Sequence, residues 1–178
     1  MNKLPEKIKS EIVVETKIFT IEGMHLRFSN GNQSYYERVL ARLPGAVLII
    51  PLLDDETILL VREYAGGIDQ YELGFPKGGI GKSESVEQAA NRELMEEVGY
   101  EAEKLQVLKQ LASSPSYNQN KMTVVLASGL REKRLDGDEP EPLEVVPWKL
   151  SQFKELLKRD DFTDARCVAA LFLLLETL

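Results

Sequence analysis

The sequence predicts an α/β domain preceded by an antiparallel β ribbon, and three observations predict it. Apolar runs of strand length flank residues 85–99, a segment with the period and end signals of a helix. Two further helical patterns close the chain. An alternating apolar and polar segment with an Asn-Gly turn opens it. With 178 residues the chain has length for one domain or slightly more, enough to bury about 70% of its unfolded surface. A separately stable second domain is not expected.

Taken in order, residues 11–28 read as strand, with Met24, Leu26 and Phe28 alternating against His25 and Arg27. Asn30-Gly31 then turns the chain into a second strand through Tyr35–Val39. A two-stranded ribbon is marginal alone, so it must pack on the rest of the protein or on another copy. Ala46–Leu53 reads as a buried strand, Asp54-Asp55 as a turn and Thr57–Tyr64 as the next strand; these form the central sheet. Gly66–Gly81, with six glycines and one proline, reads as loop. Leu105–Leu111 and Met122–Ala127 read as strands joined by the polar loop Ser113–Lys121. Asp136–Pro142 is an acidic loop stiffened by prolines, ahead of a short strand through Val145, Val146 and Trp148. Ser151 can cap a helix over residues 152–158, and Thr163 a buried helix over 164–178.

Composition excludes several function classes. A net charge of −7 disfavours a nucleic-acid polymer, whose backbone requires clustered Lys and Arg. A small phosphate substrate remains compatible, provided cations accompany it. The single cysteine, Cys167, cannot form an internal disulfide, which fits a reducing cytoplasm. The N-terminal residues are too polar for a signal peptide, and the longest apolar run, Cys167–Leu175, is far short of the ~20 residues of a membrane span. A cytosolic location follows as the expectation.

The chemistry concentrates in Gly78–Tyr100. Ser85 is placed as N-cap with Gln88 as its capping-box partner, and Gly99 stops the helix. At about 100° per residue, Val86, Ala90, Leu94 and Val98 span an apolar arc roughly 120° wide. Glu93 and Glu97 project about 20° to either side of Val86, along the arc's edge, with Glu96 a turn beyond Glu93. Two half-buried carboxylates ~5–6 Å apart repel by roughly 3 kcal/mol at an effective dielectric near 20. An isolated acidic run of this kind is ordinarily a solvated face, but here the helix phase turns it toward the body, and Arg92 is the only countercharge on the helix. Mg²⁺ or Mn²⁺, hard ions that take carboxylate and phosphate oxygens, would resolve the conflict.

Gly78-Gly79-Ile80-Gly81 fits neither common phosphate-loop fingerprint. The longer spacing is more specific: Gly78, Glu84, Arg92-Glu93-Leu94, Glu96-Glu97 and Gly99-Tyr100 resemble the Nudix box, G-x5-E-x7-R-E-U-x-E-E-x-G-U. Every charged and glycine position is met; Tyr100 stands where an aliphatic residue is usual. Segments at residues 36–39, 62–67, 71–79, 114–122, 137–143 and 165–173 extend the resemblance to members that act on ADP-containing compounds.

The resemblance implies an α/β/α sandwich with a mixed sheet over residues 44–178, and a ribbon over 1–43 through which two subunits form a homodimer. It implies Mg²⁺-dependent hydrolysis of the diphosphate in ADP-ribose, NADH or diadenosine polyphosphates (Ap3A, Ap2A), releasing AMP, with Mn²⁺ able to substitute. Glu93, Glu96 and Glu97 are then metal ligands together with the carbonyl of Lys77, Glu96 sharing in catalysis, and Glu84 and Arg92 orient the cluster. Related ADP-ribose pyrophosphatases carry a glutamate base on an acidic loop after the box, a place held here by Glu139 and Glu141; Glu139 is taken as base and Glu141 as helper. Arg38, Arg62, Pro115, Tyr117 and Lys121 are the substrate-contact candidates. Those relatives follow this proline with glycine, where Ser116 stands here, and carry glutamate at the position of Gly74, so a broader range than ADP-ribose alone is expected. Another nucleotide sugar such as GDP-mannose, or a nucleotide sensor without catalysis, are the alternatives. His25 reads as a structural or surface residue and Trp148 and Cys167 as packing residues, while Phe28 and Tyr36 read first as core packing and, as the alternative, as rings to stack on adenine.

Overall fold

The computed structural model describes residues 3–177. The chain divides into two compact units, residues 1–42 with 112–121, and residues 43–111 with 122–178.

In the first unit, β1 (Glu6–Glu15), β2 (Thr20–Arg27) and β3 (Gln33–Val39) form an antiparallel sheet in that order. The ribbon therefore has three strands where the sequence suggested two. The first turn was hidden because it contains no Gly, Pro or Asn; Thr16 closes it, its backbone N–H donating to the Phe19 carbonyl and its hydroxyl oxygen accepting from the Phe19 N–H. The expected Asn-Gly turn is present, with Gly31 at φ 86°, a conformation open to glycine at little cost. Glu22, buried in the middle strand, accepts from Ser10, Lys7 and Arg38, so one carboxylate ties the three strands together.

In the second unit, β4 (Ala46–Asp54), β5 (Thr57–Ala65), β6 (Gln70–Gly74), β7 (Lys77–Gly79), β8 (Tyr100–Ala112), β9 (Lys121–Glu132) and β10 (Glu144–Lys149) build a mixed sheet. Its order is β10-β5-β4-β9-β8, with β4 and β9 parallel and β4 and β5 antiparallel. β4 and β5 pair only near their shared turn, then separate; β7 pairs with β4 and β6 with β5 in the gap. The glycine-rich segment read as loop thus contains two short strands. Local propensity argued against them, and the unpaired edges of β4 and β5 supply their partners instead.

Both sheet faces are covered, which explains why β4 and β5 read as continuous apolar runs rather than alternating ones. Leu48, Ile50, Ile58 and Leu60 face α2 (Phe153–Leu156) and α3 (Ala165–Leu175). Val47, Ile49, Leu59 and Val61 face α1 (Val86–Glu93) and the π-helical turn Leu94–Val98 that continues it. The result is an α/β/α sandwich. Two caps differ from expectation. Asp164, not Thr163, caps α3, because the Thr163 N–H and hydroxyl both donate to Glu72. A 3-10 turn, Leu150–Gln152, precedes α2 in place of a helix capped by Ser151. No helix among the described residues is long and apolar enough to cross a membrane.

Candidate active site

The site is built where β7 meets α1. Ser85 and Gln88 form the capping box that starts the helix, and Asn91 clamps it to β8 by bonding both the N–H and the carbonyl of Ala102. The last turn widens to π geometry and ends at Gly99, φ 84°, whose N–H donates to the Leu94 carbonyl. Despite that widening, Glu93 and Glu97 remain only 7% and 4% exposed. Gly78 explains how they fit: a Cβ there would collide with the Glu93 carboxylate, so only glycine leaves room for the acid.

Arg92 is the hub. Its guanidinium donates to Glu84 at 2.8 and 3.1 Å, to Glu93 and Glu96 at 2.8 Å each, and to the Gly79 carbonyl at 2.9 Å. Glu84 also accepts from the Gly81 N–H at 2.7 Å. The hydrogen bonds from Arg92 and then Gly81 hold Glu84 below the ordinary carboxylate range. Glu84 and Arg92 thus lock the glycine turn to the helix.

The inner carboxylates behave differently. Burial raises the Glu93 carboxyl against the pull of Arg92, and burial pushes Glu97 up to about 8, with Lys77 opposing and Glu93 reinforcing the shift. Glu97 lies 3.3 and 3.4 Å from the Lys77 N–H, while the Lys77 ammonium points away to Glu63 at 2.6 Å. Burial disfavours the Lys77 charge, but Glu63 outweighs it and the ammonium stays firmly protonated. Two buried acids with raised affinity for protons mark a place where positive charge is short.

A cavity of about 440 Å³ opens over this cluster, lined by Lys77, Gly78, Arg92, Glu93, Glu96 and Glu139 among others. Glu139 comes from the acidic loop between β9 and β10, and its charge contributes to raising both Glu93 and Glu97. Glu141 lies on an adjoining cavity with Glu96 and Glu139; its carboxylate accepts from the Tyr71 hydroxyl at 2.5 Å. Arg62 does not line the cavity: it pairs with Glu144 at 2.9 Å and Asp161 at 2.6 Å. Arg38, Pro115, Tyr117 and Lys121 belong to the N-terminal unit, where Arg38 is held by Glu22 at 2.6 Å and the Tyr117 carbonyl accepts from Val39 at 2.7 Å.

Among the described residues no three His, Cys, Asp or Glu side chains stand in metal-holding geometry; Arg92 binds Glu93 and Glu96 itself. The donor set nevertheless suits a hard divalent ion: all the side-chain donors are carboxylate oxygens, Gly78 leaves space beside them, and a guanidinium now supplies the positive charge. Lys77 shows what the sequence did not reveal. The resemblance put its backbone beside Glu97, but nothing in the sequence marked Glu63 as the partner of its side chain.

The chain is similar to known proteins over nearly its whole length. Residues 42–171 match the NUDIX domain family, and residues 5–38 match the NudE-type Nudix hydrolase N-terminal domain. The chain is 48% identical over 174 residues to the ADP compounds hydrolase NudE of Escherichia coli K12, covering 98% of this chain and 93% of the relative. It is 31% identical to an ADP-ribose pyrophosphatase of Bacillus subtilis, covering 96% and 93%. A crystal structure of an ADP compounds hydrolase superposes with a TM-score of 0.93 at 47% identity, covering 100% of this chain and 96% of that one.

Proposed function

The chain belongs to the Nudix family of pyrophosphatases, and from that premise we propose that it hydrolyses the diphosphate linkage of ADP-containing compounds, ADP-ribose, NADH and Ap3A or Ap2A, releasing AMP. The observation that carries the chemistry is the pair of buried carboxylates, Glu93 and Glu97, the first of which lines a cavity together with Glu96 and Glu139. The near full-length likeness to an ADP compounds hydrolase supports the choice of substrate.

Glu93, Glu96, Glu97 and the Lys77 carbonyl would hold Mg²⁺, with Mn²⁺ as a substitute. Bound there, the ion supplies charge that neutralises the diphosphate and acidifies water. Glu84 keeps Arg92 in place, and Arg92 fixes the helix against Gly79 so that the acids present a constant geometry. A carboxylate oxygen of Glu139 takes the proton of the attacking water, and Glu141 holds the loop through Tyr71. The catalytic domain is placed at residues 44–178. The ribbon, residues 1–43, is the dimerisation element: β1 is an edge strand, exposed along its length, that carries Ile8, Ile12, Val13 and Val14.

Incubation with ADP-ribose, NADH and Ap3A in Mg²⁺ or Mn²⁺ tests the proposal, and AMP is the expected product. No AMP from any of them overturns it. Faster cleavage of GDP-mannose would make the protein a hydrolase of another nucleotide sugar, and tight binding without turnover would make it a sensor. The expected mass in solution is that of two chains; a single-chain mass at micromolar concentration excludes the dimer.

A further inference from the structure

The Lys77 side chain leaves the acid cluster and ends in a second cavity of about 530 Å³, bounded by the end of β5, the Gly66-Gly67 turn, β6 and the first turn of α3. That volume lies within the range of small-molecule sites, about 300–1,000 Å³. Its floor is apolar, formed by Val61, Leu73 and Cys167. Gly74 keeps the floor deep, since a Cβ there would stand 3.1 Å from the Cys167 sulfur.

The walls are charged and already paired. Glu63 accepts from the Lys77 ammonium at 2.6 Å, Asp164 from Arg166 at 2.6 Å, and Glu72 from the Thr163 N–H and hydroxyl at 3.0 and 2.8 Å. Tyr64 stands at the rim, the residue 48% exposed and its hydroxyl bonded to Asp69 at 2.7 Å.

This lining discriminates between kinds of ligand. Glu63, Glu72 and Asp164 outnumber Lys77 and Arg166, so a phosphate would meet more negative than positive charge. A purely apolar group would desolvate those charges without replacing their hydrogen bonds. Hydroxyl groups satisfy both signs, donating to the free lone pairs of the carboxylates and accepting from the ammonium and guanidinium. Tyr64 offers a flat face to a ring. The required ligand is a neutral, hydroxyl-rich ring. Lys77 belongs to both cavities, so a diphosphate at the acid cluster has its far substituent about one lysine side chain away.

We propose that this cavity holds the sugar on the far phosphate of the substrate, with Glu63 and Tyr64 as specificity-determining residues. The proposal rests on the reading of the protein as an ADP-compound hydrolase. Its test is kcat/KM for ADP-ribose and for the β-methyl ester of ADP, which has the diphosphate but no far sugar, in wild type, Glu63→Gln and Tyr64→Leu. Wild type is expected to cleave both and to prefer ADP-ribose. Glu63→Gln lowers kcat/KM for ADP-ribose about tenfold, the size of one hydrogen bond to a charged group, and leaves the ester within about twofold. Tyr64→Leu, on an exposed rim where folding is not at stake, shifts the preference in the same direction by less. Equal loss on both substrates, or no loss on either, overturns the sugar site while leaving the hydrolase reading standing. A wild-type enzyme that cleaves neither substrate overturns both.

Discussion

The two faces of the mixed sheet are covered by helices of similar length and opposite design. α3 covers its face with Cys167, Ala170, Leu171 and Leu174, all at most 1% exposed; burial of apolar surface is enough to hold it there. α1 packs through Ala89 and Ala90, and its π turn through Leu94, but the two also bury Glu93 and Glu97. One helix is held to its face by apolar burial, whereas the other gives up stability to keep acids at a cavity. Buried carboxylates short of positive charge are costly to fold around and are useful only where a cation or a proton is to be bound.

That contrast can be broken from either side. Glu97→Gln should lower kcat for ADP-ribose by about 10²–10³-fold, the scale of losing one preorganised charged group, while circular dichroism and thermal melting show an intact fold. Retained full activity would remove Glu97 from the machinery. Leu171→Ala on the opposite face should do the reverse: a loss of about 2–5 kcal/mol in denaturant unfolding, with kcat per folded molecule unchanged. A specific fall in kcat without loss of stability would show that α3 also takes part in the chemistry.

The same division explains how much was legible in the sequence. Features fixed by local chemistry could be read: the Ser85 capping box, the Gly99 stop, the Asn30-Gly31 turn and the inward phase of Glu93 and Glu97. Glu93 lies ahead of the π turn, Leu94–Val98, and Glu97 stays buried within it. What could not be read depends on partners remote in sequence. β6 and β7 exist because β4 and β5 diverge. Arg62 looked free for substrate, but Asp161, 99 positions later, pairs with it. Thr163 lost its cap to Glu72 in the same way.

pH sharpens the comparison within the metal-binding face. Glu97 has its folded value pushed up to about 8 from an ordinary 4.5. Between those two values the folded chain holds a proton that the unfolded chain releases, so stability falls as pH rises through that window. In EDTA the melting temperature should therefore decline from about pH 5 to pH 8, and Mg²⁺ should restore it most at the alkaline end. In Glu97→Gln the decline should flatten. A metal-free melting curve that rises with pH over this range would show that Glu97 is already neutralised by Lys77.

The smallest effect is expected in the N-terminal sheet, where a buried carboxylate has the opposite sign. Ser10 first, then Arg38 and Lys7, hold Glu22 at about 2 against burial. A depressed value means that the folded state keeps its charge when the unfolded chain would accept a proton. Its contribution is present above about pH 4.5 and is lost as pH falls toward 2. Glu22→Gln should thus reduce the stability of this sheet at pH 7 and make little difference near pH 2, as read by hydrogen exchange of the β2 amides. A carboxylate that stabilises when charged is a structural tie, whereas Glu97 stabilises only when neutralised. Equal exchange in wild type and Glu22→Gln at pH 7 would show that the three strands are held by backbone pairing alone.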